Sequence, residues 1–143
     1  MRNVTVFKPG WLASEPGAEL QASIGSTRLA SLSRRKWPRL DARFLVSYER
    51  MGNARLECVA GCTCRASTLP AYLADARESV EGAYGVLVSQ ADDCVVRVTV
   101  LPESHSPDGG TKFKLLGFSL VADKRGAERS KGKSKDYQDP PRS

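Results

Sequence analysis

Seven consecutive residues, Cys94-Val95-Val96-Arg97-Val98-Thr99-Val100, constrain the fold more than any other feature of the chain. Cys94, Val96, Val98 and Val100 stand on one side of this run, and Val95, Arg97 and Thr99 on the other. Side chains of an extended chain alternate between two faces with a period of two, so the pattern specifies a half-buried β-strand and does not suit a helix. The same alternation recurs along the sequence. Ala18, Leu20, Ala22 and Ile24 oppose Glu19, Gln21 and Ser23. Phe44, Val46 and Tyr48 oppose Arg43, Ser47 and Glu49, with Leu45 breaking the polar face. Ala54, Leu56 and Cys58 oppose Arg55 and Glu57, and Tyr84, Val86 and Val88 share a face.

A last strand is expected over 112–121. Phe113 and Leu115 alternate with Lys112 and Lys114, and the parity then flips to Leu116, Phe118 and Leu120. A one-residue slip of this kind is the mark of a β-bulge, which Gly117 accommodates. Pro9-Gly10 and Pro16-Gly17 punctuate the chain before the first alternating run. Met51-Gly52-Asn53 reads as a hairpin turn, and Pro107-Asp108-Gly109-Gly110 as a turn before the final strand. Pro38 interrupts any strand in 25–41, where Ser33 to Arg39 form a basic loop. Residues 69–79 read as a short helical turn or a long loop.

Six or more short strands at this spacing, without helical segments between them, specify an antiparallel β-sandwich of jelly-roll type and not a parallel sheet. The expected organisation is one all-β domain over 1–122 followed by a disordered basic tail over 123–143. The tail holds seven Lys/Arg against four Asp/Glu and almost no apolar residues, too few to offset its ordering entropy. It carries half of the formal net charge of +6. A nucleic-acid surface needs aromatics interleaved with cations, and Tyr137 is the tail's single aromatic, so the basic balance reads as a solvated tail. No run of 18 apolar residues exists for a spanning helix. The start of the sequence lacks the apolar core of a signal peptide, which leaves open a fragment of a longer chain.

The four cysteines are Cys58, Cys62, Cys64 and Cys94. Their C-x3-C-x-C spacing with a distant fourth residue lacks the paired knuckles of structural zinc sites, so disulfides are the expectation and no metal is assigned. Cys58 and Cys94 fall on strands, Cys62 and Cys64 in the Gly61-Cys62-Thr63-Cys64 loop. A direct Cys62–Cys64 bond is disfavoured by adjacency, so the loop is expected to bond to the strand cysteines, with the pairing open.

No catalytic site and no cofactor are expected. His105, the single histidine, lies in a polar turn, and the sequence has no nucleophile elbow and no phosphate-binding glycine loop. The carboxylate pair Asp92-Asp93 precedes a strand with too few oxygen ligands around it for calcium. Trp11, Trp37, Tyr48, Tyr72 and Tyr84 are the candidates for a carbohydrate platform, with Tyr48 and Tyr84 assigned to the core by their Val and Phe neighbours. Trp37, between Arg35-Lys36 and Pro38, is the aromatic expected to be exposed. Trp37, Arg35, Lys36 and Trp11 are therefore the candidate partner surface, and Asn3-Val4-Thr5 is a glycosylation sequon that matters in a secretory setting.

An ordered series of segments carries a resemblance. Lys8-Pro9-Gly10-Trp11-Leu12-Ala13-Ser14-Glu15-Pro16-Gly17 opens it, followed by Ser47-Tyr48-Glu49-Arg50-Met51-Gly52 and Cys58-Val59-Ala60-Gly61-Cys62-Thr63-Cys64. The strand from Cys94 to Val100 and Lys112-Phe113-Lys114-Leu115-Leu116-Gly117 complete it. Across about 8–121 the series resembles the C-terminal β-rich domain of plant and green-algal SGNH/GDSL-type esterase-like proteins. The resemblance implies a secretory-pathway or extracellular setting and a partner that is an esterase catalytic domain or a cell-wall carbohydrate. The family's catalytic Gly-Asp-Ser is absent here, and Pro102 stands three residues before His105 where an Asp-x-x-His motif needs an acid. The resulting expectation is a non-catalytic accessory domain. The alternatives are a fragment of a serine esterase and a basic nucleic-acid-binding module.

Overall fold

The computed structural model describes residues 3–7, 10–27, 37–75 and 78–122. Among these residues nine strands are formed in chain order: β1 (Asn3–Phe7), β2 (Trp11–Ala13), β3 (Glu19–Ile24), β4 (Arg39–Val46), β5 (Asn53–Ala60), β6 (Ser67–Pro70), β7 (Val80–Leu87), β8 (Cys94–Val100) and β9 (Phe113–Val121). No helix occurs among the described residues.

The strands form two antiparallel sheets. One has the order β1-β9-β4-β7, with β2 also paired to β9, and the other has the order β3-β8-β5-β6. β1 pairs with 118–121 and β2 with 113–115, so the two short strands act as one interrupted strand along β9. Only β5 and β6 are consecutive neighbours within a sheet, and every connection from β2 to β5 and from β6 to β9 crosses between sheets. Eight strand positions connected this way are the wiring of a jelly roll, as the alternation implied.

The alternating residues supply the core. Cys94, Val96, Val98 and Val100 of β8 are buried, as are Ala22 and Ile24 of β3, Ala54 and Leu56 of β5, and Val86 of β7. From the other sheet come Leu40, Ala42 and Phe44 of β4 and Phe113, Leu115, Phe118 and Leu120 of β9. The Phe44 and Phe113 rings stack with centroids 5.4 Å apart. Each fully buried aliphatic or Phe side chain stabilises the sandwich by about 1.5–3 kcal/mol relative to exposure. The bulge in β9 is present. Arg43 is in register with Gly117 and Phe44 with Leu115, which leaves Leu116 as the extra residue and returns Phe118 and Leu120 to the core face.

Three expectations are corrected. Met51-Gly52-Asn53 is not a hairpin turn, because β4 and β5 belong to different sheets and the segment carries the chain between them. Residues 69–79 contain no helical turn among their described positions and begin with the end of β6. Tyr48 lies beyond the end of β4 and is 48% exposed, so its alternation with Phe44 and Val46 does not bring it into the core. The expected tail, 123–143, lies outside the described residues, as do Arg35 and Lys36.

The solvent faces of the two sheets carry cross-linked charges. On the β8–β5 pair, Arg97 Nη2 is 2.8 Å from Glu57 Oε1, Arg55 Nε is 3.1 Å from Glu57 Oε2, and Glu19 Oε1 is 3.9 Å from Arg97 Nε. On the other sheet, Arg39 grips Asp41 and Arg43 reaches Glu81 at 2.9 Å. The Arg97 hydrogen bond, helped by that of Arg55 and against a smaller effect of burial, holds the Glu57 carboxyl below its ordinary pKa.

Candidate functional site

The loops gather at two ends of the sandwich. At one end, Cys58 of β5 is bonded to Cys64, and Cys62 is bonded to Cys94 at the start of β8. Both bonds join the Gly61-Cys62-Thr63-Cys64 loop to a strand cysteine, as expected from the sequence, with Cα–Cα separations of 5.6 and 4.9 Å. Gly61 makes the turn possible. Its φ is +77°, in the left-handed region, and a side chain there would run into the Asp93 carbonyl.

Hydrogen bonds hold the same turn independently of sulfur. Thr63 N–H donates to Ser89 Oγ at 2.8 Å, and Ser89 N–H returns a bond to the Thr63 carbonyl at 3.0 Å. Cys64 forms an antiparallel bridge with Val88, whose N–H donates to the Pro38 carbonyl at 3.0 Å. Ser26, buried at the end of β3, donates its hydroxyl to the Ser89 carbonyl at 2.6 Å and accepts the Ala91 N–H at 2.7 Å. Backbone polar groups that would be left over where strands end are thereby satisfied.

Trp37 and the disulfide-tied turn therefore meet at one end, through Pro38, Val88 and Cys64. Trp37 is half-buried and not fully exposed, because Pro38 extends the β4–β7 ladder and draws the preceding residue onto the fold. Trp11 is not a surface residue of the kind expected. β2 lies along β9 with Trp11 opposite Leu115, so Trp11 and Ala13 pack against the core while Leu12 points outward at 57% exposure. Asn3 opens β1 in register with Val121, which is itself in register with Arg39, so it stands at this same end of the sandwich, two strands away.

The opposite end was not singled out by sequence reasoning. An open cleft of ≈ 440 Å³ is lined by Ser14, Arg50, Asp108, Gly109, Gly110, Thr111 and Lys112. Asp108 builds it: its carboxylate accepts the N–H of Gly110 at 2.9 Å, the N–H of Arg50 at 3.1 Å and the hydroxyl of Ser106. The Ser106 bond first, then those of Gly110 and Arg50, hold the Asp108 carboxyl below its ordinary pKa. Arg50 adopts φ +56°, a signal that sequence periodicity does not carry. Tyr48 and the half-buried Tyr72 flank the same end, where Ser47 bridges to Tyr72. His105 is exposed beside this cleft, and the Ser106 hydroxyl is committed to Asp108, not to an imidazole.

Comparison with protein-family models, with curated proteins and with solved structures returned no match.

Proposed function

We infer that the chain is a non-catalytic binding domain whose contact surface is the end formed by Trp37 and the disulfide-tied turn. One observation carries this reading. Two disulfides, the Thr63–Ser89 hydrogen-bond pair and the Ser26 cluster all converge on this end, a degree of fixation that rigid recognition requires. Trp37 supplies a flat aromatic surface there of the kind that stacks on sugar rings. With the resemblance to SGNH/GDSL-type esterase-like proteins, the partner is a cell-wall polysaccharide or the esterase domain that modifies it. The setting is then secretory or extracellular, where disulfides persist.

Two features weigh against the other readings. Ser106 gives its proton to a carboxylate, and no base is aligned on a serine among the described residues, which does not support a complete esterase site. The arginines on both sheet faces are matched with carboxylates, which does not suit a phosphate-binding surface. Affinity electrophoresis through gels containing xylan, pectin or cellulose derivatives tests the proposal. Retardation by one of them, lost in Trp37→Ala without a change in melting temperature, is the expected outcome. Equal mobility in every gel, together with no association with an SGNH-type esterase domain, would sink it.

A further inference from the structure

We propose that the four cysteines form a second, metal-binding state: on reduction, Cys58, Cys62, Cys64 and Cys94 become a tetrathiolate site for a divalent zinc-type cation. The geometry points to it. The Sγ atoms of Cys58, Cys62 and Cys94 already lie within 4.8 Å of one another, and the fourth sulfur, that of Cys64, is bonded to Cys58. A tetrahedral zinc with thiolates at about 2.3 Å places its sulfurs about 3.8 Å apart. Three of the sulfurs are gathered this closely, and that of Cys64, held next to Cys58 by their bond, has to swing towards them by side-chain rotation at the edge of the exposed turn.

The scaffold keeps the sulfurs together without the S–S bonds. Thr63 and Ser89 exchange two hydrogen bonds, Cys64 is bridged to Val88, and Cys58 and Cys94 are fixed by adjacent strands of one sheet. Preorganisation of this kind lowers the entropic cost of assembling ligands. The irregular C-x3-C-x-C spacing, which argues against paired knuckles in the sequence, follows from ligands drawn from a strand, a turn, a bridge residue and a distant strand. Reduction and metal loading balance as follows. Two phosphine molecules and two waters convert two disulfides into four thiols and two phosphine oxides. One divalent cation then displaces four thiol protons to give a complex of charge −2. A dithiol reductant supplies the same two electron pairs.

The test uses the full chain, reduced with a water-soluble phosphine under argon and titrated with Co²⁺ as a spectroscopic stand-in for zinc. The expected result is one equivalent bound, with a thiolate charge-transfer band in the near ultraviolet, intense visible bands of tetrahedral cobalt and a far-ultraviolet β-sheet spectrum. Zn²⁺ then bleaches the cobalt bands. Cys64→Ser, at a half-buried position outside the named strands, loses part of the charge-transfer intensity and binds more weakly. Absence of the band at millimolar Co²⁺ overturns the proposal. So does a band without β-sheet structure, or a spectrum unchanged in both Cys64→Ser and Cys62→Ser.

Discussion

The carboxylate of Asp108 accepts the backbone N–H of Arg50 at 3.1 Å, joining the segment that carries the chain between the sheets after β4 to the turn that precedes β9. The same carboxylate takes the Gly110 N–H, so one side chain sets the conformation of both segments. Gly110 packs so closely that an added Cβ would collide with the Arg50 backbone, which has nowhere to retreat. Gly110→Ala is expected to cost roughly 1–3 kcal/mol through overpacking. Asp108→Ala lowers the melting temperature, and Asp108→Asn recovers part of the loss by keeping an acceptor oxygen. Thermal melts followed by circular dichroism check all three. A Gly110→Ala variant as stable as the parent would show that the two segments are not locked together.

Glu57 gives the protein an acid-sensitive link. Its folded-state pKa is depressed from 4.5 by Arg97 and Arg55, so the unfolded chain takes up this proton more readily than the folded one. The contribution is therefore fully present above about pH 4.5 and is lost as pH falls through the folded value. Asp108, depressed from 3.8, adds to the same trend at slightly lower pH. Denaturation midpoints measured from pH 7 to pH 3 are expected to fall on the acid side, and less steeply in Glu57→Gln. High salt flattens the Glu57 part, since the pair lies on a solvent face. A parent and Glu57→Gln with parallel acid profiles would show that the bridge is not linked to folding.

Alternation made much of this molecule legible. The runs around Leu20, Leu56, Val86 and Val98 correspond to β3, β5, β7 and β8, and the parity flip at Leu116 to the bulge in β9. These features are local, because period-two burial is written into adjacent residues. β1, β2 and β6 are short and lie at or beside sheet edges, so their three to five residues carry too little pattern to be read. The Met51-Gly52-Asn53 segment has the composition of a hairpin turn, and only the long-range pairing of β4 with β9 and β5 with β8 shows that it changes sheets. Tyr48 shares the parity of Phe44 yet stands outside, because the strand ends at Val46 and parity has meaning only while pairing continues. The cysteine loop was legible as a disulfide-bearing turn, but its convergence with Trp37 depends on the Pro38–Val88–Cys64 connection, which no local pattern encodes.

Burial predicts a sharp contrast between two leucines. Leu56, in the middle of β5, is fully buried against the facing sheet, whereas Leu12 is 57% exposed at the rim. Leu56→Ala leaves a cavity and is expected to cost about 2–5 kcal/mol. Leu12→Ala is expected to change stability by less than about 0.5 kcal/mol. Chemical denaturation of the two variants decides this, and comparable losses would mean that the outer side of β2 is covered by something in solution.

The two disulfides differ in how much of the unfolded chain they confine. Cys58–Cys64 closes a separation of 6 residues and Cys62–Cys94 one of 32. Loop-closure entropy grows with the logarithm of loop length, so the longer link constrains the unfolded state by about 1.5 kcal/mol more. Removing Cys62 and Cys94 together is thus expected to destabilise the oxidised protein more than removing Cys58 and Cys64 together. Cys62→Ala/Cys94→Ala also empties a buried position at Cys94, whereas Cys58 and Cys64 are both half-buried, and this acts in the same direction. Peptide mapping under non-reducing conditions gives the pairing directly, and denaturation of the two double variants gives the order. A Cys58–Cys94 or Cys62–Cys64 peptide in native material would overturn the pairing, and a larger loss in the Cys58/Cys64 variant would show that the short link does more than confine the unfolded chain.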